Sequence, residues 1–137
     1  MTENESRWTA GAHHVGLTVP ELAAAVRFFE EGLQFEKVAD IPDYPAAFLS
    51  DGHILITLWQ AKVEGTPIAF DRHRNLGLHH LSLRVGSRGL DALHDRLAAR
   101  KDVEIEFAPE ILGAGPTRHM MTRIPGNIRL EFIAPAA

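Results

Sequence analysis

The sequence predicts an α+β fold built from two copies of one βαβββ unit, and three observations carry that reading. The phrase Ala12-His13-His14-Val15-Gly16-Leu17-Thr18-Val19 returns as Leu78-His79-His80-Leu81-Ser82-Leu83-Arg84-Val85, a histidine pair leading an alternating apolar run. An amphipathic helical pattern follows each phrase. Each copy then ends in strands joined at a glycine turn, Asp51-Gly52 in the first and Pro125-Gly126 in the second. Marks that recur in the same order are the signature of internal duplication.

In the first copy Val15, Leu17 and Val19 share one face of a strand, with His14, Gly16 and Thr18 on the other. Pro20 suits the first turn of a helix, where its missing N–H costs nothing. Leu22, Val26 and Phe29 form the apolar stripe of that helix, and Gly32 ends it. Strands follow over 35–40, 46–50 and 53–60, the last two closed by a two-residue hairpin at Asp51-Gly52. In the second copy Leu81, Leu83 and Val85 oppose His80, Ser82 and Arg84, and Ser87 caps a helix that buries Leu90, Leu93 and Leu97. Strands over 103–109, 117–124 and 127–134 complete it, with an inserted loop at 112–116. The organisation is a flexible tail over 1–9, a first module over 10–60, a linker over 61–76 containing Gly65, Pro67 and the charged run Asp71-Arg72-His73-Arg74, and a second module over 77–135. Together they make one domain.

Composition narrows the function. At 137 residues the chain is long enough for one compact core, and 45% hydrophobic with 23% charged residues is ordinary for a globular domain. A net charge of −4 without a Lys/Arg run offers no face to nucleic acid. No apolar stretch approaches the roughly 20 residues needed to cross a bilayer. The polar N-terminal residues have no signal-peptide core, so the expectation is a cytoplasmic protein without a membrane partner. With no cysteine, a metal would have to be held by imidazole, carboxylate, carbonyl or water.

Aligning the final hairpins on Gly52 and Gly126 sets Thr57 over Glu131. A carboxylate between Leu130 and Phe132 is expensive to bury unless it is paired or bound to a metal. Alternation puts Glu131 on the side of Arg129 and Ile133, so His14, His80 and Glu131 all hold inward-capable positions. Two imidazoles and a carboxylate suit Fe(II), Mn(II), Ni(II) or Zn(II) with coordination positions left open. Taken alone, Glu131 reads first as an ion-pair partner of Arg129 or Arg84, and only the joint placement with His14 and His80 favours a metal. Within each histidine pair, phase selects the second member, because His13 and His79 fall on the face directed to the helices or an interface. Thr57, Trp59 and Arg84 are substrate-facing by the same phase, and Met121 is pocket wall. Arg118 and Arg123 flank the penultimate strand, where a solvated surface role is the first reading of either and orienting an anionic substrate the second. His119 is a candidate acid or base, and Tyr44, in the Pro-rich loop 41–45, a candidate lid residue.

The pieces His14-Val15-Gly16-Leu17, His80-Leu81-Ser82-Leu83 and Pro125-Gly126-Asn127-Ile128-Arg129-Leu130-Glu131-Phe132 resemble the vicinal oxygen chelate superfamily. Glyoxalase I, extradiol dioxygenases, fosfomycin-resistance proteins and bleomycin-binding proteins belong to it, and the resemblance spans nearly the whole chain. It implies an eight-stranded, U-shaped sheet around a central pocket. It also implies a divalent metal ion on His14, His80 and Glu131, and a small substrate that binds through two neighbouring oxygens. The activities implied are ring-cleaving dioxygenation or a glyoxalase-type lyase or isomerase reaction, with His119 and Tyr44 as the acid and tyrosine a dioxygenase would need. Fosfomycin-type thiol transfer and metal-free binding of a drug or metabolite are the alternatives. Glyoxalase I has a carboxylate where this sequence has Thr57. A homodimer is implied as well, in which His14 of one chain joins His80 and Glu131 of the other.

Overall fold

The computed structural model describes residues 6–135, so the first five residues of the expected tail lie outside the described residues. The first module runs β1 (His14–Val19), α1 (Leu22–Arg27) with a π-helical continuation (Phe28–Gly32), β2 (Glu36–Ile41), β3 (Ala46–Ser50) and β4 (Leu55–Gln60). The second runs β5 (Leu81–Arg84), α2 (Leu90–Ala98), β6 (Glu104–Ile111), β7 (Arg118–Ile124) and β8 (Ile128–Ala134). The sheets have the same order, β1-β4-β3-β2 and β5-β8-β7-β6. In each, the first strand pairs parallel with the last, and the remaining pairs are antiparallel. The fold is thus α+β with two βαβββ modules, its eight strands divided between two four-stranded sheets that leave β1 and β5 at edges.

Register makes the modules equivalent residue by residue. Gly16 stands opposite Thr57 in β1–β4, and Ser82 stands opposite Glu131 in β5–β8. Helix α1 covers β3 and β4, and α2 covers β6, β7 and β8. Each sheet therefore has a helix-covered face and a helix-free face. Leu17, Val19, Leu49, Ile56 and Leu58 fill the covered face of the first module, and Met120, Ile124, Leu130 and Phe132 that of the second.

Local differences from the sequence reading have local causes. β4 starts at Leu55 because the Asp51 carboxylate accepts from the amides of His53 and Ile54, both at 2.8 Å, which extends the turn beyond two residues. Ser87 does not cap α2; Gly89 occupies that place with φ +89°, a conformation glycine adopts without strain. After Arg27 the helix widens into a π turn, and both Phe28 and Phe29 are completely buried. A widened turn shifts the side-chain phase, which lets two consecutive aromatics face one core.

The modules meet through their helical sides. Arg96 of α2 donates to the carbonyls of Gly32 and Glu31 at 2.9 and 2.7 Å, which the end of the first helix leaves unpaired. Gly126 packs on Pro20, where a Cβ would lie 2.9 Å from the proline ring. The linker is irregular, tied by Asn127 Nδ2 donating to the Phe70 carbonyl at 2.7 Å and by Arg72 reaching Glu106 at 3.3 Å. It nonetheless holds Ile68 and Leu76 almost fully in solvent, at 94% and 102% relative exposure, and Trp8 is as open.

Candidate functional site

Glu131 sits in the middle of β8. Its neighbours Leu130 and Phe132 are buried beneath α2, which directs Glu131 to the helix-free face together with Arg129. Ladder pairing brings Ser82 of β5 to one side and Met121 of β7 to the other. His119, one residue pair along β7, is only 9% exposed, and its Nδ1 lies 2.7 Å from Glu131 Oε2. His80 stands just before β5, with Nε2 3.9 Å from Glu131 Oε1. Burial pushes the Glu131 carboxyl up, but hydrogen bonds from His119 and Ser82 and the nearness of His80 outweigh it, so its pKa is below the ordinary carboxylate value.

A polar cluster supports His80. Arg129, 8% exposed, makes a fork on Glu106, with Nε to Oε1 at 3.1 Å and Nη2 to Oε2 at 2.7 Å. Its Nη1 donates to the His79 carbonyl at 3.3 Å and to His79 Nδ1 at 3.2 Å. Guanidinium nitrogens only donate, so His79 Nδ1 is an acceptor. His80 Nδ1 lies 2.8 Å from that same atom and must therefore carry the proton between them. The lone pair of His80 is then at Nε2, on the side of Glu131. Desolvation, then the Arg129 charge, lowers the pKa of His79 and keeps it neutral.

Sequence phase directs His79 to the helices or an interface; of these it is not on the helix side, since it contacts Arg129 on the helix-free face, because β5 begins only at Leu81 and strand alternation does not extend to residue 79. Ser82 shares the face of Glu131, as phase suggested. Glu106 gave no signal in the sequence. A register shift of β6 between Ile105 and Phe107 turns Glu106 toward Arg129 while Phe107 still meets His119, at 4.9 Å between rings.

The other candidates lie in three places. Met121 is buried beside Glu131, and Arg84 is exposed on the same side of β5 as Ser82. Arg118 is on the opposite face, its guanidinium forked on Asp91 of α2 at 3.0 and 3.1 Å, and so directed away from Glu131. Its alternation with buried Met120 and Thr122 places it there. Thr57, Trp59 and Tyr44 belong to the first module. Trp59 Nε1 donates to Thr57 Oγ1 at 2.8 Å, Tyr44 packs edge-on against Trp59 at 4.8 Å, and Lys62 Nζ sits 3.7 Å above the Tyr44 ring. His14 is exposed on the helix-free face of that module, 3.0 Å from His13 between Nδ1 atoms.

The donor set can be tested against a metal ion. Two donors at right angles with bonds of roughly 2.1 Å lie about 3 Å apart. The 3.9 Å between His80 Nε2 and Glu131 Oε1 closes to that by a small rotation of His80, whose side chain is 37% exposed. Chemistry and tautomer both fit. Within one chain, however, no group of three or more His, Cys, Asp or Glu side chains converges among the described residues. Of the three expected ligands, one chain brings together His80 and Glu131. A cleft of about 940 Å³ lies elsewhere, between the helical sides of the modules, lined by Val15, Leu33, Phe35, Leu83, Leu93 and Arg88.

Comparison with known proteins agrees with this architecture. The pattern of the Glyoxalase/Bleomycin resistance protein/Dioxygenase superfamily matches residues 11–132. No curated protein matches the chain. Among solved structures, a glyoxylase/bleomycin resistance protein/dioxygenase domain from Frankia sp. EAN1pec is 30% identical with a TM-score of 0.79, covering 93% of this chain and 99% of that one. A mutant of the fosfomycin resistance protein FosX from Listeria monocytogenes, complexed with Mn(II) and 1S,2S-dihydroxypropylphosphonic acid, is 17% identical with a TM-score of 0.71, covering 93% and 92%. A lactoylglutathione lyase from Agrobacterium tumefaciens is 19% identical with a TM-score of 0.70, covering 93% and 96%. These last two share the fold. With nearly its whole length matched, and with two βαβββ modules of identical strand order, the chain belongs to the Glyoxalase/Bleomycin resistance protein/Dioxygenase superfamily.

Proposed function

We propose that the protein is a metal-dependent enzyme of the glyoxalase and dioxygenase type, acting on a small molecule with two neighbouring oxygens. One observation carries this reading: Glu131, ionised and hydrogen-bonded on a helix-free sheet face, has the Nε2 lone pair of His80 beside it. The superfamily relative FosX, crystallised with Mn(II), shows that this fold holds a divalent ion in another protein. The third donor is His14, contributed by a second copy, because in one chain it lies on the other sheet. The exposed linker residues Ile68 and Leu76 are apolar surface of the kind that dimerisation covers.

A divalent ion held by His14, His80 and Glu131 would act as a Lewis acid, stabilising negative charge that develops on the substrate oxygens. The chain's own residues do the rest. Ser82 and His119 hold Glu131 in its charged form, and Arg129 acting through His79 holds the His80 lone pair outward. Thr57 accepts from the Trp59 indole, so the place equivalent to Glu131 in the first module holds a neutral side chain that is already paired. Arg84, exposed on the Ser82 side, is available to an anionic substrate group.

The experiment is metal analysis followed by turnover. Protein reconstituted with Fe(II), Mn(II), Ni(II) or Zn(II) is desalted and its metal content measured, for the wild type and for His14→Ala, His80→Ala and Glu131→Ala. About one ion per chain in the wild type and loss in every variant is expected. No ion retained by the wild type would leave a metal-free binding protein as the better description, and metal content indifferent to all three substitutions would overturn this ligand set. Catechol cleavage and hemithioacetal isomerisation, assayed on the loaded protein, then separate the reaction types.

A further inference from the structure

We propose that His119 is a positioning residue for Glu131, and that it makes Glu131 a one-oxygen ligand with Oε1 turned toward His80. The inference rests on the metal reading above and goes further, since it gives a buried histidine a role other than acid or base.

A glutamate on a strand has three rotatable bonds, and its carboxylate can present either or both oxygens to a metal. Here one oxygen is already taken. His119 Nδ1 is 2.7 Å from Oε2, a short contact of the charge-assisted kind. A carboxylate has no proton to give, so Nδ1 is the donor. Oε1 is left as the oxygen nearer His80. His119 is itself held: its ring packs on Phe107, its residue is 9% exposed, and β7 lies between β6 and β8. Its remaining nitrogen, Nε2, points to Glu110 at 3.5 Å. The nitrogen nearer Glu131 is therefore spent on it, which is why His119 is not assigned proton transfer to substrate.

The first module supplies an internal control. Thr57 stands at the position of Glu131, and the residue that pairs with Trp59, as His119 pairs with Ile133, is Ala46. Where the ligand is missing, the histidine that would hold it is missing as well.

The test uses Co(II) as a spectroscopic probe on the full chain, reading the dissociation constant by titration and ligand geometry from the visible absorption bands. His119→Asn keeps a side-chain N–H close to the Nδ1 position and is expected to bind within a few-fold of the wild type, with the same bands. His119→Leu removes the donor and is expected to weaken binding about 10- to 100-fold, the range for loss of an outer partner of a metal ligand, with altered bands. Should the leucine variant not fold, as judged by circular dichroism, His119→Met makes the same comparison. Wild-type affinity and bands in the donor-less variant overturn the proposal alone, leaving the metal reading intact. A wild type that binds no Co(II), indistinguishable from Glu131→Ala, overturns the metal reading and this proposal with it.

Discussion

Gly16 stands opposite Thr57 at the same step of the first sheet that sets Ser82 opposite Glu131 in the second. The duplicated scaffold thus offers two equivalent places and fills only one with a carboxylate. In the other, the Trp59 indole closes over the Thr57 hydroxyl. Gly16 makes that closure possible, because a Cβ there would lie 3.1 Å from Thr57 Oγ1 and 3.5 Å from Trp59 Nε1.

Gly16→Val should therefore displace Trp59 from Thr57. The expected cost is about 1–3 kcal/mol for overpacking, read by urea unfolding. In a Trp8→Phe background Trp59 is the sole tryptophan, and its emission should shift to the red as the ring becomes wetter. An unshifted spectrum would show that the strand yields while the Trp59–Thr57 bond survives.

Glu106 links the fold to pH. The Arg129 hydrogen bonds lower its pKa from the ordinary 4.5, against the upward push of burial. A carboxyl depressed in the folded state binds fewer protons there than in the unfolded chain. Its contribution is therefore complete above its unfolded pKa and disappears as pH falls through the folded one. Unfolding free energy should drop as pH is lowered from about 5 toward 3, and Glu106→Gln should flatten that slope while costing about 1.5–3 kcal/mol near neutrality. A wild-type slope in the variant would mean that other carboxyls carry the acid sensitivity.

Much of this was legible in advance where period and turn chemistry act locally. The two modules, the helix stripe of Leu90 and Leu97, and the side of the sheet on which Glu131 lies all follow from alternation and spacing. Phase failed where a strand was shorter or less regular than its pattern. His79 lies outside β5, and Glu106 turns on a bulge that no residue type announces. Arg118 left two readings open because a cation beside a pocket strand looks the same in sequence whether it faces substrate or pairs at the surface, as it does with Asp91. How the modules pack is a property of side chains distant in the chain, such as Arg96 on the Gly32 carbonyl, and leaves no periodic trace.

Arg96 should act as the latch between modules. Its two bonds satisfy carbonyls at the end of the first helix that otherwise have no partner there. Arg96→Ala is expected to cost about 1.5–3 kcal/mol, the value of hydrogen bonds to a charged group. Arg96→Lys should recover only part, since an ammonium cannot fork across both carbonyls. Full recovery by lysine would reduce the latch to simple charge at a helix end.

The histidine pair makes a prediction that needs no metal. With Arg129 donating to His79, neutral His80 should carry its proton on Nδ1, visible in two-bond proton–nitrogen correlation spectra. His79→Ala removes the acceptor and should return His80 to the Nε2–H form common in free imidazole. An Nε2–H signal for His80 in the wild type would contradict the relay.

Separation of His14 from His80 and Glu131 gives the most discriminating test of how the site is completed. If each site joins His14 of one chain to His80 and Glu131 of the other, His14→Ala and His80→Ala homodimers each lack a ligand at both sites. Mixing the two variants and allowing exchange produces heterodimers in which one site recovers all three ligands and the other loses both histidines. Metal content and any turnover should then rise from near zero to one site per heterodimer, with Glu131→Ala in the His14→Ala chain abolishing the gain. A site completed within one chain predicts no rescue at any mixing ratio. Ile68→Asp and Leu76→Asp, placed in the exposed linker, should suppress the rescue by weakening association, while leaving the folded content of each chain unchanged by circular dichroism.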